Sequence, residues 1–311
     1  MGGLADVETD VDTGVVVSAF APAPTARVTV SKWRDGREHR VLDDLAEEVP
    51  VALEYNGISH AVMLASPADL ADFALGFSLS EGIIDNAQQL YDCEVVYGDP
   101  DIEGAQRIKG IRVVMQIAAG RFAGLKHKRR QLAGRTGCGL CGAESLASLS
   151  PVPPPVGSSM RVTLSRLHQA FMQLEQQQVL QQCTGATHAA GWVNRDGALV
   201  LVREDVGRHN ALDKLIGALA ASGADFAAGA ALITSRASYE MVQKAAVMGI
   251  GVLAAVSAPT ALAHRLADQT GLTLLGFVRH GSCVVYAHPQ RVQRGSHDLG
   301  AASVAAQTSA L

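Results

Sequence analysis

The sequence lacks any apolar run of about 18 residues, so no segment reads as a membrane-spanning helix. It also lacks a basic stretch leading into an apolar one near its start. Asp6, Glu8, Asp10 and Asp12 stand there instead, which argues against a secretory leader. Neither sign of charge dominates: the net charge is −4 over 311 residues, so nothing draws the whole chain to nucleic acid or to an anionic membrane. Cysteine is sparse, dispersed and odd in number. Cys93, Cys138, Cys141, Cys183 and Cys283 do not make a disulfide framework, and the expected compartment is the reducing cytoplasm. What the chain does have is apolar mass. At 48% hydrophobic it can bury a sizeable core, in one large domain or two modest ones.

Acidic residues are missing from one further place, residues 121–142. That stretch carries Arg121, Lys126, Lys128, Arg129, Arg130 and Arg135 with no carboxylate, and ends in Arg135-Thr-Gly-Cys-Gly-Leu-Cys-Gly142. Three glycines around two cysteines make a loop that presents thiols rather than burying them. Nearby positive charge favours thiolate, the nucleophilic form. A lone C-x-x-C nevertheless serves several chemistries. Structural zinc needs four ligands, and the remaining cysteines here are single. A dithiol redox pair ordinarily opens a helix after a strand, whereas this one lies among glycines. A sulfur carrier needs a reachable thiolate. All three readings stay open on spacing alone, beside the one in which the pair does no chemistry.

In chain order, residues 1–26 and 294–311 read as loose arms around an N-terminal α+β region, 27–150, and an α/β domain, 156–293. Val51–Tyr55 and Ile58–Val62 flank Asn56-Gly57, a two-residue hairpin turn. Ser66-Pro67 reads as the cap of a helix ending near Gly82. Strands are expected near Cys93–Tyr97 and Gly110–Ile117, and the four prolines of 151–155 make a stiff connector. A long helix from about Thr163, buried through Leu164, Leu167, Phe171 and Leu174, should stop before Gly185. Strands at His188–Val193 and Ala198–Val202 follow. Apolar strands at 230–234, 251–256 and 272–278 then alternate with helices at 238–248 and 260–270. That rhythm predicts a parallel sheet with helices on both faces, made mixed by the earlier hairpins.

Two clusters stand out beside the cysteines. Glu204-Asp-Val-Gly-Arg-His-Asn210 puts Asp205, Arg208 and His209 where a strand meets a helix; the plainer reading is a capping residue and a satisfied imidazole. The carboxyl ends of the late strands carry Thr234-Ser235-Arg236, Ser257-Ala-Pro-Thr260 and Arg279-His280-Gly281-Ser282. Ligands of open α/β sheets sit at such ends, and hydroxyls, guanidinium groups and helix N-termini there suit phosphates, although the serines also cap helices. A zinc deaminase is disfavoured, because Ala190 stands where its H-x-E glutamate would follow His188.

Arg135–Gly142, Glu204-Asp-Val-Gly-Arg-His-Asn-Ala-Leu-Asp-Lys214 and Ser235-Arg-Ala-Ser-Tyr-Glu240 together resemble the FdhD family, sulfur carriers needed for formate dehydrogenase activity. Ala74–Ile84 and Gly276–Arg279 are similar to further family segments, and the resemblance spans about residues 27–290. It implies a cytidine deaminase-like mixed sheet, a homodimer, and a persulfide taken from a cysteine desulfurase. The sulfur passes to a molybdenum (or tungsten) bis-guanine-dinucleotide cofactor for formate dehydrogenase. That cofactor is a bound client, with no permanently held metal. Carried over, Cys138 bears the persulfide and Cys141 assists. The cofactor-binding stretch is Phe277, Val278, Arg279, His280, Gly281 and Ser282, with Ser257, Ser235, Arg236, Asp205 and His209 beside it. The rival is a non-catalytic chaperone of the same cofactor whose cysteines grip zinc or a partner.

Overall fold

The computed structural model describes residues 21–97, 110–125, 152–279 and 281–293, and the backbone of 126–130. It divides into two compact units. The first comprises Met1–Pro151, Val179–His188 and Arg203–Ala224; the second comprises Val152–Gln178, Ala189–Val202 and Asp225–Leu311. A single cut near residues 151–156, as the sequence suggested, therefore misplaces two segments.

The first unit is built on four strands, β3 (Val49–Tyr55), β4 (Ile58–Ala65), β5 (Leu90–Tyr97) and β6 (Ile111–Ile117), in the order β4-β3-β6-β5. Asn56 and Gly57 make the β3–β4 turn with φ of 48° and 78°, the mirror-image geometry that matches strand twist. The Asn56 side chain also accepts from Ile117 N at 2.7 Å and donates to Ile117 O at 3.1 Å, which stitches the turn to the end of β6. Val51, Leu53 and Tyr55 alternate into a fully buried face. Helix α1 (Leu70–Ser80) and helix α5 (Arg208–Ala221) pack on each other. They cross backbone to backbone: a Cβ on Gly76 would strike the carbonyl of Asp213, and one on Gly217 the carbonyl of Asp72. This crossing is why α5 belongs with the N-terminal strands, far from it in sequence.

The same unit carries a hairpin that the sequence reading did not expect. β1 (Thr25–Arg34) and β2 (Arg37–Ala46) pair over their full length around Asp35-Gly36, whose φ values of 52° and 74° again suit a two-residue turn. A short helix, α2 (Ala119–Arg130), follows β6. The expected Ser66 cap is not a cap. Helix α1 starts at Leu70 behind Asp69, and Ser66 is fully buried with its polar groups taken by residues 205–214.

The second unit centres on a six-stranded mixed sheet. β8 (His188–Val193), β9 (Leu199–Asp205), β10 (Ala230–Ile233), β11 (Val252–Ala255), β12 (Thr273–Arg279) and β13 (Ser282–Ala287) lie in the order β13-β12-β11-β10-β8-β9. β10, β11 and β12 are parallel, while β8 and β13 run antiparallel to their neighbours. Every residue of β10 and β11 is buried, as continuous apolar strands covered on both faces must be. Helix α3 (Leu164–Gln177) covers one face through Leu167, Ala170, Phe171 and Leu174, packed on Ala230, Leu232, Val252, Ala254 and Leu275. Helices α6 (Tyr239–Val247) and α7 (Ala261–Thr270) pack on each other and bury Met241, Val242, Ala263 and Leu266. A small parallel pair, β7 (Val162–Thr163) with β14 (Val292–Gln293), completes the unit.

The strands do not form one sheet: the described residues hold a six-stranded sheet, a four-stranded sheet and two pairs. The helix expected to run from Thr163 to Gly185 is also two, α3 and α4 (Val179–Thr184), broken at Gln178. The carboxylate of Glu204 explains the second start, since it accepts from Leu180 N and Gln181 N, both at 2.9 Å, and so satisfies two of the free amides of α4.

Candidate functional site

Three strand ends gather side by side in the second unit. Ser235 and Arg236 lie just beyond β10 and Ser257 just beyond β11, while β12 itself ends in Phe277, Val278 and Arg279. The connecting backbone is tied together beyond the sheet. Ala237 and Pro259 form an isolated parallel bridge, Thr260 N donates to Ala237 O at 3.1 Å, and Phe277 N donates to Ser257 O at 3.3 Å. Gly276 is there for closeness: a Cβ on it would lie 3.0 Å from Ser257 O and from Pro259 Cδ.

Phe277 sits at φ +52°, where a bulky side chain is strained, and the pairing of β12 with β13 slips between Gly276 and Arg279. The kink leaves the Arg279 guanidinium 5.9 Å from the centre of the Phe277 ring. Val278 points inward and is buried, whereas Arg279, Gly281 and Ser282 are exposed; Ser282 Oγ donates to Arg279 O at 3.0 Å. His280 lies outside the described residues.

Both α6 and α7 begin at these loops. Thr260 Oγ1 accepts from Ala263 N at 3.2 Å and caps α7. Ser238, at the start of α6, makes no such bond, and its buried Oγ has no hydrogen-bond partner among the described residues. Ser235 is buried with its hydroxyl donating to Arg236 O at 3.0 Å, so it shapes the loop. Arg236 and Arg279 are exposed and make no ion pair among the described residues. Two open guanidinium groups, a spare hydroxyl and two helix N-termini are the chemistry that holds phosphate.

Asp205 and His209 belong to the first unit. Asp205 is fully buried and saturated: it accepts from Ser66 N at 3.0 Å, Gly207 N at 2.7 Å and Asn210 Nδ2 at 2.9 Å, and pairs with Lys214 Nζ at 2.7 Å. Lys214, also fully buried, bonds further to Ser66 O at 3.1 Å and Glu204 O at 3.4 Å. This network locks the corner between β4 and α1 to the entry of α5. A carboxylate with four donors has nothing left for a ligand. The sequence reading quoted Lys214 without giving it a role; its position within a helix flanked by Leu212, Leu215 and Ile216 was the signal that it is buried. Beside the network, burial and then the Arg208 charge hold the His188 imidazole below its ordinary pKa.

Cys138 and Cys141 lie outside the described residues, eight and eleven positions beyond the last residue of α2. The start of α2 is firmly held. Arg121 donates from Nε to Ile83 O at 2.9 Å and from Nη2 to Gly82 O at 2.8 Å, and its Nη1 meets Asp85 Oδ2 at 2.9 Å. Of the basic residues before the cysteines, Arg121 is therefore a clamp on the end of α1 and not a free charge for a thiolate. Cys93 and Cys283 are both partly buried, and desolvation pushes the Cys93 thiol up to about 12 and raises that of Cys283; Cys183 is exposed.

The chain was compared with known proteins. The profile of the FdhD/NarQ family matches residues 46–293. A protein of Cupriavidus necator named sulfur carrier protein FdhD is 60% identical over 272 residues, 88% of this chain and 91% of that protein. Proteins of the same name from Xanthomonas campestris pv. campestris and Bordetella petrii are 51% and 52% identical. They cover 91% and 81% of this chain, and 97% and 87% of their own lengths. A crystal structure of a protein assigned as a formate dehydrogenase accessory protein from Desulfotalea psychrophila superposes with a TM-score of 0.66. It is 22% identical and covers 87% of this chain and 100% of its own, so it supports the mixed α/β fold alone. By the family profile and by identity along nearly the whole length, this chain belongs to the FdhD/NarQ family.

Proposed function

We propose that the protein is a sulfur carrier that takes persulfide sulfur from a cysteine desulfurase and passes it to the molybdenum bis-guanine-dinucleotide cofactor destined for formate dehydrogenase. The observation that carries this reading is the 60% identity, over 88% of the chain, to a relative named as a sulfur carrier. The C-x-x-C of Cys138 and Cys141 supplies the sulfur chemistry. The Cys138 thiolate attacks the terminal sulfur of the donor's persulfide; the donor S–S bond breaks, its thiolate leaves, and the sulfur stays on Cys138. Cys141 then attacks Cys138 Sγ, the terminal sulfur departs to the metal as sulfide, and a Cys138–Cys141 disulfide remains. The two thiolates supply the two electrons, and a thiol reductant restores the pair.

The cofactor is the substrate of this step. The strand-end cluster of the second unit fits its phosphates: Arg236 and Arg279 have their charges open, and Ser238 Oγ is a donor without a partner at the start of α6. Ser257, Gly276 and Phe277 lie at the same strand ends, where the guanine would bind in this reading. Asp205 supports the fold rather than the ligand. The protein works as a cytoplasmic homodimer in this reading.

Intact-protein mass spectrometry after incubation with a cysteine desulfurase and cysteine tests it. One sulfur gained, removed by dithiothreitol and absent in Cys138→Ala, is the expected result. No gain with an active desulfurase, together with one zinc per chain that Cys138→Ser loses, overturns it in favour of a structural site. Arg236→Ala/Arg279→Ala is expected to load sulfur normally and to lose binding of the cofactor.

A further inference from the structure

The β1–β2 hairpin is held at its base and open at its tip. Arg27 pairs with Asp44 at 2.8 Å, Glu47 N donates to Pro24 O at 2.9 Å, and β2 packs against α4. From Ser31 to Asp43 every residue is exposed. The outer part holds four residue pairs, Ser31 with Arg40, Lys32 with His39, Trp33 with Glu38 and Arg34 with Arg37. That is roughly 13 Å of ribbon, since a strand rises about 3.3 Å per residue.

Side chains alternate along each strand, so these pairs divide between two faces. Within the tip, one face carries Lys32, Arg34, Arg37 and His39 and no acid. Arg34 stands directly opposite Arg37, with Lys32 and His39 as the next pair on that face. Like charges directly opposite each other destabilise a ribbon. Lys32, Arg34 and Arg37 make no ion pair among the described residues that would relieve it. The other face carries Trp33 and Leu42, each 68% exposed, with Arg40 in the pair between them. An exposed tryptophan beside arginine has the composition of an interface hot spot.

The charge narrows what the tip meets. Residues 31–40 hold four Lys or Arg against two acids, whereas the whole chain stands at −4. Two tips meeting across a pair of copies would set cations against cations. A nucleic acid is repelled by the chain as a whole and, at the tip, by Asp35 and Glu38. An acidic protein groove with an apolar pocket satisfies both faces at once.

We propose that the hairpin tip docks the sulfur donor, a cysteine desulfurase, entering an acidic groove on that enzyme. Lys32, Arg34 and Arg37 face its carboxylates, and Trp33 fills an apolar pocket. The proposal rests on the sulfur-carrier reading. It names the donor rather than the client because of where the arm sits. Helix α2, which leads along the chain toward Cys138 and Cys141, belongs to the same unit as the hairpin, and the strand-end cluster belongs to the other.

Two sulfur sources separate the arm from the chemistry. Glutathione persulfide needs no docking: a thiolate of the C-x-x-C pair attacks its terminal sulfur, and glutathione thiolate leaves. The variants are Lys32→Glu/Arg34→Glu/Arg37→Glu and Trp33→Ala in the full chain. The triple reversal keeps like charge opposite like at 34 and 37, and hydrogen exchange of the β1 amides checks that the ribbon is formed. Sulfur is read by mass on the peptide holding Cys138 and Cys141. Gain from the desulfurase is expected to fall about tenfold in each variant, through KM rather than kcat, while gain from glutathione persulfide keeps the native rate. Added NaCl should slow desulfurase loading of the native chain more steeply than that of the reversal. Equal desulfurase loading of native and variant chains overturns the docking and leaves the carrier reading standing. No gain from either source in the native chain overturns the carrier reading, and the docking with it. A fall with both sources overturns the docking, because the arm would then act within its own chain. So does a native dimer that the variants split, which would assign the tip to a second copy.

Discussion

Replacing Lys214 with methionine removes one half of a fully buried ion pair and keeps most of the side-chain volume. Lys214 Nζ has three acceptors, Asp205 Oδ2 at 2.7 Å, Ser66 O at 3.1 Å and Glu204 O at 3.4 Å, which match its three protons. The variant leaves the buried Asp205 carboxyl without its cation and takes a donor from two carbonyls, of which Ser66 O still accepts from Ala68 N at 2.8 Å. Breaking a buried pair from one side costs roughly 3–5 kcal/mol. The amides of Ser66 and Gly207 and the Asn210 side chain still hold the carboxylate, which keeps the loss from the top of that range. A loss of about 4 kcal/mol is therefore expected in the first unit, which corresponds to exchange about 700-fold faster. Native-state hydrogen exchange at β3 and α5 is the suitable assay, because a chain of two units need not unfold in one step. In a double-mutant cycle with Asp205→Asn, a coupling of about 2 kcal/mol or more is expected. A cost for Lys214→Met below about 1 kcal/mol, the level of an exposed pair, would refute the reasoning, since the amides alone would then suffice.

Three further outcomes follow from the same structure. Gly76→Ala and Gly217→Ala should each destabilise the first unit by about 3 kcal/mol or more in urea titrations, because a Cβ meets backbone that cannot yield, whereas Gly120→Ala in α2 meets open space and should be neutral or slightly stabilising. His188 has its pKa lowered by burial and then by Arg208, so the unfolded chain binds its proton first. Stability should be full above the ordinary imidazole value, fall as pH drops from about 6.5 toward the lowered value, and lose that slope in His188→Gln, as melting curves across the range would show. Brief alkylation at neutral pH should label Cys183 ahead of Cys93 and Cys283, whose thiols are held protonated by burial; equal labelling of Cys93 would contradict its placement in β5.

What could be read in the sequence was whatever local chemistry decides. Asn56-Gly57 marks its hairpin because both residues tolerate positive φ, and the runs at 230–233 and 252–255 announce doubly covered strands because nothing polar interrupts them. The β1–β2 hairpin was missed although Asp35-Gly36 carries the same signal, because its strands bury too little to show an apolar face. Ser66 misled for the opposite reason. Its hydroxyl accepts from Val206 N at 3.1 Å, 140 residues away, and a partner that distant leaves no mark beside Ser66-Pro67. The division into units was hidden likewise, since the crossing at Gly76 and Gly217 joins two stretches that no local pattern connects.

The stretch from Glu204 to Lys214 shows why a dense polar motif need not be a binding site. Glu204 caps α4, Asp205 and Lys214 neutralise each other, and Asn210 bonds both to Asp205 and to Leu64 O at 2.8 Å. These four side chains, Glu204, Asp205, Asn210 and Lys214, are spent on fixing where β4, α1, α4 and α5 meet, in a core where an unpaired group would cost more than an apolar one. The second unit's strand ends differ: among the described residues Arg236 and Arg279 make no ion pair and Ser238 Oγ makes no hydrogen bond, and the backbone at Phe277, beside Arg279, is strained. Saturation is thus the physical criterion that separates the two motifs, and it assigns architecture to the first and the candidate ligand site to the second, although the first has more charged residues in a shorter stretch.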